Sequence, residues 1–198
     1  ARLATSSDPD VKKVLPRLLN AMDRAVDLCS QTLNYASEEA PELSPSCFSL
    51  RELIDEVGQA VQHSDVAVGG ITWRNRIERK MMIEADRDQL FRALINVGRN
   101  AYQAGAANVS VACKFINDRI CIEVTDDGPG LPEKARDNLF TPFIGSARAG
   151  GTGLGLVIVR DVMRAHGGDI ALMETGADGT VFCLELPEKV REGARFWI

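Results

Sequence analysis

Thr125-Asp126-Asp127-Gly128-Pro129-Gly130 and, further on, Gly151-Thr152-Gly153-Leu154-Gly155-Leu156 bracket the stretch on which the reading of this chain turns. The first phrase follows an alternating, strand-like segment, Ile120 to Val124, and the second opens a segment that reads as a helix, Leu156 to His166. Between them lies a loop of little periodicity holding Phe140, Pro142, Phe143, Ser146 and Arg148. Glycine lets the backbone take positive φ and approach a ligand closely. A Gly-rich turn feeding a helix start presents unpaired N–H groups and the positive end of the helix dipole to phosphate. Asp126, at a strand end, can accept a hydrogen bond from an amine without a metal. The pattern looks like a nucleotide site, but either phrase alone is more often a plain loop, and what tells between the two is a third element.

A third element lies upstream. In Asn96-Val97-Gly98-Arg99-Asn100-Ala101 the two asparagines are four residues apart, so on a helix both amides leave one face. Asparagine is a mediocre helix former, and two in mid-helix suggest work for their amides. Taken in order, Asn100-Ala101, Asp126-x-Gly128-x-Gly130, the Phe140/Phe143 pair and Gly151-x-Gly153-x-Gly155 resemble the N, G1, F and G2 boxes of bacterial sensor histidine kinases. These boxes define the ATP-binding domain of that family, whose fold is shared with gyrase-type, mismatch-repair and heat-shock-chaperone ATPases. The resemblance covers roughly residues 47–187. It implies an α+β fold: a two-layer α/β sandwich, with a mixed sheet of about five strands and helices on one face, preceded by a long bundle-type helix.

The resemblance also implies a site. ATP and Mg²⁺ would lie between the Asn-bearing helix and the Asp126 strand end. Asp126 would accept a hydrogen bond from the adenine amino group, with Gly128 and Gly130 in the same box. Thr180 would support adenine directly or through water. Asn100 would give its side-chain oxygen to Mg²⁺, which prefers oxygen ligands and keeps several waters. Asn96 would sit one turn earlier, near the phosphates. The phrase Gly151, Thr152, Gly153, Leu154, Gly155, Leu156 would bind ATP, with Gly153 to Leu156 offering N–H groups to the β- and γ-phosphates. Residues 131–150 would be a lid, anchored by Phe140 and Phe143.

The chain departs from the family at several points. Gln103 stands where many histidine kinases have Lys, and Ser146-Ala147 where the lid has Thr-Lys. A basic contact to phosphate is either missing or supplied by Arg99 or Arg148. ATPases of this superfamily carry Glu four residues before the metal-binding Asn, as the base that activates water. Here that position is Asn96, which takes no proton at neutral pH. The site is therefore suited to handing a phosphoryl group to an external nucleophile, a step that is mostly positioning and charge neutralisation. The family's acceptor is a His followed by an acidic residue on an upstream helix; His63 and His166, the two histidines, stand in no such motif. The expected partners are ATP, an acceptor-His helix of the same or a second chain, and a response-regulator receiver domain, with a possible homodimer. A scaffold module that no longer uses ATP, an ATPase and a serine kinase of related fold are the competing readings.

Around this centre, residues 8–37 read as one long helix with Asp8 at its cap, Pro9 in its first turn, an apolar seam from Val11 to Ala36, and a break at Pro16. By resemblance, residues 1–40 would be part of the dimerisation and phosphotransfer helical domain. Residues 41–46 would be a linker, 47–188 the catalytic domain and 189–198 a tail. Ser49/Glu52 and Asp86/Gln89 have cap spacing before helices at 50–61 and up to about Ala104. Strands are predicted at 71–77, 80–85, 108–115, 119–125, 169–174 and 179–186, with Asn117-Asp118 as a hairpin turn and Gly167-Gly168 as a helix stop. The net charge of −5 gives no support to nucleic-acid binding. No apolar run approaches the ~20 residues of a membrane span. The start at Ala1 reads as a piece of a longer protein, whose portion here is cytoplasmic even where the whole is membrane-anchored upstream. Five scattered cysteines read as unpaired small hydrophobes in a reducing compartment.

Overall fold

The computed structural model describes residues 43–63, 70–142 and 153–188. The long helix expected at 8–37 and the tail at 189–198 lie outside these residues. All described residues belong to the second of two units, which divide between Ala40 and Pro41.

Local chemistry starts the first two helices where spacing predicts. Ser49 Oγ accepts the Glu52 N–H at 3.3 Å and opens α1, Leu50–Gln62. Asp86 Oδ1 accepts the Gln89 N–H at 3.1 Å and opens α2, Arg87–Ala104, which Gly105 ends at φ 87°. Such caps contribute about 1 kcal/mol each. A short helix α3, Glu133–Arg136, and then α4, Gly155–Ala165, complete the described helices.

Strands β2 (Thr72–Asn75), β4 (Asn108–Ile116), β5 (Arg119–Asp126), β6 (Asp169–Gly176) and β7 (Gly179–Pro187) form a five-stranded sheet in the order β2-β4-β5-β7-β6. Among the described strands only the β2–β4 pair is parallel, so the sheet is mixed, as expected. Asn117 and Asp118 both take positive φ in the β4–β5 turn, as a two-residue hairpin requires. Two further strands, β1 (Ser46–Ser49) and β3 (Met82–Ala85), make a separate antiparallel pair that the sequence reading did not anticipate.

One face of the main sheet meets the helices. Val109, Val111, Ile122, Val124, Phe182 and Leu184 pack there with Leu53, Ile54 and Val57 of α1, Leu90, Leu94 and Val97 of α2, and Val159 and Met163 of α4. Each such side chain, fully buried, contributes about 1.5–3 kcal/mol. Trp73 is wedged between α1 and α2: its Nε1 donates to Ile54 O at 3.1 Å. A Cβ on Gly58 would collide with its ring, and one on Gly98 would crowd both the ring and Val61. The opposite sheet face carries ion pairs, Lys114 with Glu123 and Arg119 with Glu185.

The cysteine reading needs correction. Cys121 and Cys183 are joined by a disulfide. The β5–β7 register puts Glu123 opposite Cys183 and Cys121 opposite Glu185. The two cysteines are thus diagonal neighbours on one face, 5.6 Å apart at Cα. Cys47 is a free, exposed thiol, and Cys113 a free one that burial, helped by the Glu78 charge, pushes up to about 12.

Candidate functional site

Asn96, Asn100 and Ala104 recur at four-residue intervals and share one face of α2. At one end of that face sits the first residue of α4. A Cβ on Gly155 would stand 3.6 Å from Asn96 Oδ1 and 3.7 Å from Asn100 Oδ1. At the other end sits the β5 terminus: a Cβ on Gly128 would stand 2.8 Å from Asp126 Oδ1 and 3.5 Å from Ala104 Cβ. From Asn96 to Ala104 is about 12 Å of helix rise. The Asn amides and the Asp126 strand end therefore lie at two points along one face of α2.

Each polar group is aimed. Asn96 Nδ2 donates back to Arg92 O at 2.9 Å, which leaves Oδ1 on the Gly155 side. Asp126 is buried, and its Oδ1 accepts the Gly128 N–H at 2.8 Å. Burial pushes its carboxyl above the ordinary aspartate value; the N–H groups of Gly128 and Thr180 pull back, and the Asp127 charge adds to the rise. Thr180 lies opposite Asp126 across β5–β7 and is buried. Its hydroxyl is 3.3 Å from Thr175 Oγ1, which in turn accepts the Leu131 N–H at 2.8 Å. A cavity of about 310 Å³ opens at this end of the sheet, lined by Thr125, Asp126, Glu174, Thr175, Gly176, Asp178, Gly179, Thr180 and Val181, and so by the strands and their turn rather than by α2 or α4. Gly130, at φ 75°, lies so close to Gly176 that a Cβ would strike its carbonyl oxygen.

The α4 N-terminus differs from the other two long helices. Both α1 and α2 have a side-chain cap and an acidic residue in the first turn, whereas α4 begins after Leu154 with no side-chain cap and no acid. A helix start left this way, with two amide oxygens facing it, offers donors and positive dipole to an anion. Among the described residues no cluster of three His, Cys, Asp or Glu side chains is present. The donor set fits a hard, oxygen-seeking cation such as Mg²⁺, which needs few protein ligands.

The structure thus brings together Asn96, Asn100, Gly128, Gly155, Asp126 and Thr180. Leu154 is fully buried beneath the α4 start, and Gly153 and Leu156 flank it. Gln103 is exposed on α2, one turn past Asn100. Phe140 stacks under Arg160 of α4, whose Cζ lies 4.8 Å from the ring centroid. Phe143, Ser146, Arg148, Gly151 and Thr152 lie outside the described residues. His63 is exposed at the α1 C-terminus with Nδ1 on Gln59 O, and His166 is buried.

Asp127 was missed by the sequence reading. Its Oδ1 accepts the N–H groups of Ala107 and Asn108, both at 2.8 Å, and Oδ2 accepts Asn108 Nδ2 at 2.7 Å. It clamps the α2–β4 connection to the end of β5 and so fixes Asp126 against α2. Its signal was a second carboxylate directly after the strand end.

The family model described as histidine kinase-, DNA gyrase B-, and HSP90-like ATPase matches residues 85–190. Sensor histidine kinase ZraS of Salmonella typhimurium is 37% identical over 113 residues, 56% of this chain and 24% of that protein. The crystal structure of full-length ShkA in complex with AMPPNP superposes with a TM-score of 0.74 at 26% identity, over 93% of this chain and 40% of that one. Histidine kinase ThkA in complex with the response regulator protein TrrA superposes with a TM-score of 0.69 at 26% identity, over 95% of this chain and 55% of that one. The match with ZraS proteins spans about a quarter of their length.

Proposed function

This chain belongs to the histidine kinase-, DNA gyrase B- and HSP90-like ATPase family, and on that premise we propose that it is the ATP-binding catalytic portion of a two-component sensor histidine kinase. It passes the γ-phosphoryl group of ATP to a histidine outside this chain. One observation carries the reading: a single face of α2 presents Asn96 and Asn100 to the uncapped start of α4 and, one turn further on, meets the Asp126 strand end.

Adenine sits at the Asp126 end, with its amino group donating to the carboxylate and Thr180 beside it. The triphosphate follows the α2 face to the α4 N-terminus, where the N–H groups from Gly153 to Leu156 receive it. Mg²⁺, when bound, is held by Asn100 Oδ1 and phosphate oxygens and offsets the charge that builds on the phosphates. In the transfer the bond from the γ-phosphorus to the β–γ bridging oxygen breaks, a bond to an imidazole nitrogen forms, and ADP leaves. Asn96 provides no base for water, so the chain holds ATP for transfer rather than hydrolysis. His166 is buried and His63 is tied to its own helix end, which supports an acceptor elsewhere.

We assign residues 1–40 to the dimerisation and phosphotransfer portion, 41–46 to the linker and 47–188 to the catalytic domain. The natural next acceptor is an aspartate of a receiver domain, of the kind bound by ThkA. Among the described residues no helix is long and apolar enough to cross a membrane.

The test is a titration of this chain with a fluorescent ATP analogue with and without Mg²⁺, followed by a phosphate-release assay. Saturable, Mg²⁺-assisted binding without steady release is the expected result. Absence of binding would turn the reading to an inactive scaffold module, and steady phosphate release in the absence of any partner would turn it to an ATPase.

A further inference from the structure

His166 closes α4 and is buried. Its Nδ1 lies 2.8 Å from Val162 O, one turn back on the same helix. A carbonyl only accepts, so Nδ1 carries the proton. Nε2 is then an acceptor, and it receives the Asp86 N–H at 3.0 Å, across eighty residues of sequence. Asp86 is itself the N-cap of α2 and also accepts the Ser44 N–H at 2.9 Å. One neutral imidazole thus joins the end of α4 to the beginning of α2.

The helices run antiparallel and pack through the shared core, and two further contacts lie toward their ends. One is His166 with Asp86; the other is Gly155 against Asn96 and Asn100. From Asp86 to the Asn96–Asn100 pair is about 15–21 Å of helix rise, and from Gly155 to His166 about 16 Å, so the α4 span falls within the α2 one. A hydrogen bond at the far end of α4 bears, beside the core packing, on the tilt and slide of α4 along α2, and through them on the place of the α4 N–H groups relative to the Asn oxygens. The Asp126 strand end hangs instead on β5, Asp127 and Thr180, none of which makes this hydrogen bond.

We propose that His166 is a positioning residue for the triphosphate end of the nucleotide site: its neutral ring, bridging Val162 O and the Asp86 N–H, holds the α4 N-terminus in register with Asn96 and Asn100. This rests on the nucleotide reading given above. A merely structural histidine would change stability and leave nucleotide preference alone. A positioning one changes the preference of the folded protein for triphosphate over nucleoside.

The measurement is calorimetric binding of Mg²⁺-AMPPNP and of adenosine to the unmutated chain, His166→Phe and His166→Gln, each below its own unfolding temperature. Phe keeps the bulk and removes both hydrogen bonds. Gln supplies one donor and one acceptor. In His166→Phe, AMPPNP affinity is expected to fall roughly five- to tenfold, the range in which residues without ligand contact tune a site, with adenosine affinity unchanged. His166→Gln regains most of the loss. Equal changes for both ligands, or no change for either, overturn the proposal. Should His166→Phe not fold, the unmutated chain decides: coupling is reciprocal, so amide exchange at Asp86 slows more with AMPPNP than with adenosine, and equal slowing refutes the proposal. An unmutated chain that binds neither ligand overturns the nucleotide reading itself.

Discussion

Replacing Asp126 by Asn separates what the site needs from what the fold needs. The carboxylate is buried, and burial raises its pKa against the pull of the Gly128 and Thr180 N–H groups. A folded-state pKa above the unfolded one means that the ionised group opposes folding at neutral pH. Asn is nearly isosteric, keeps an oxygen for the Gly128 N–H at 2.8 Å, and carries no charge into the protein. Stability should therefore stay within about 1 kcal/mol of the unmutated chain, on the stable side if either. Binding should respond oppositely. A hydrogen bond to a charged group is worth about 1.5–3 kcal/mol, and the amide would also set a donor against the adenine amine. The ATP analogue should bind about 10–150-fold more weakly. Thermal unfolding and a fluorescent-analogue titration on the same preparation measure both. An Asp126→Asn variant that binds within about threefold of the unmutated chain would refute the adenine assignment. A variant that loses binding together with its fold would refute the claim that Asp126 serves the ligand rather than the core.

Other outcomes follow from the same geometry. Asn96→Glu sets a potential base beside Asn100 at the α4 start, and steady phosphate release, measured by a coupled assay, should rise above that of the unmutated chain; no rise would mean that water does not reach this end of the site. Gly179→Ala forces a Cβ onto the Asp126 carbonyl at φ +128°, and should destabilise by more than about 3 kcal/mol in chemical denaturation. In acid, burial pushes the Asp86 carboxyl up but the N–H groups of Ser44, Gln89 and Asp88 outweigh it and hold the group below its ordinary value, and Asp127 is held low because the Asn108 side chain and backbone donate to it. Both depressed groups add stability that is present above the ordinary aspartate range and is lost as pH falls through their folded values. The unfolding temperature should therefore drop below about pH 4, and Asp127→Asn should flatten that drop; an equally steep drop in the variant would place the loss elsewhere.

How much of this was legible in the sequence depends on how far apart the cooperating residues stand. Helix α2 was readable to its ends because its cap, its first-turn partner and its stop are Asp86, Gln89 and Gly105, all on or beside the helix. The β4–β5 turn was readable because Asn117 and Asp118 tolerate positive φ on their own account. The order of four motifs, the Asn100 phrase, the two glycine phrases and the Phe140/Phe143 pair, was enough for the family. What escaped depends on register between distant segments: the β1–β3 pair of four residues each, the Cys121–Cys183 bond across 62 positions, the Asp127 clamp on Asn108, and the His166 bridge to Asp86. None has a period or a spacing to betray it. The proposed site stands between these cases. Sequence spacing put Asn96 and Asn100 on one face, and the glycines near a helix start. Only the fold shows that the same face, one turn on at Ala104, presses against Gly128 and so brings a carboxylate from β5 into line with them. In the function proposed above, that contact is what joins three separate motifs into one site. A bulky side chain at position 104 would therefore push the adenine end away from the amide end while leaving every motif residue in place.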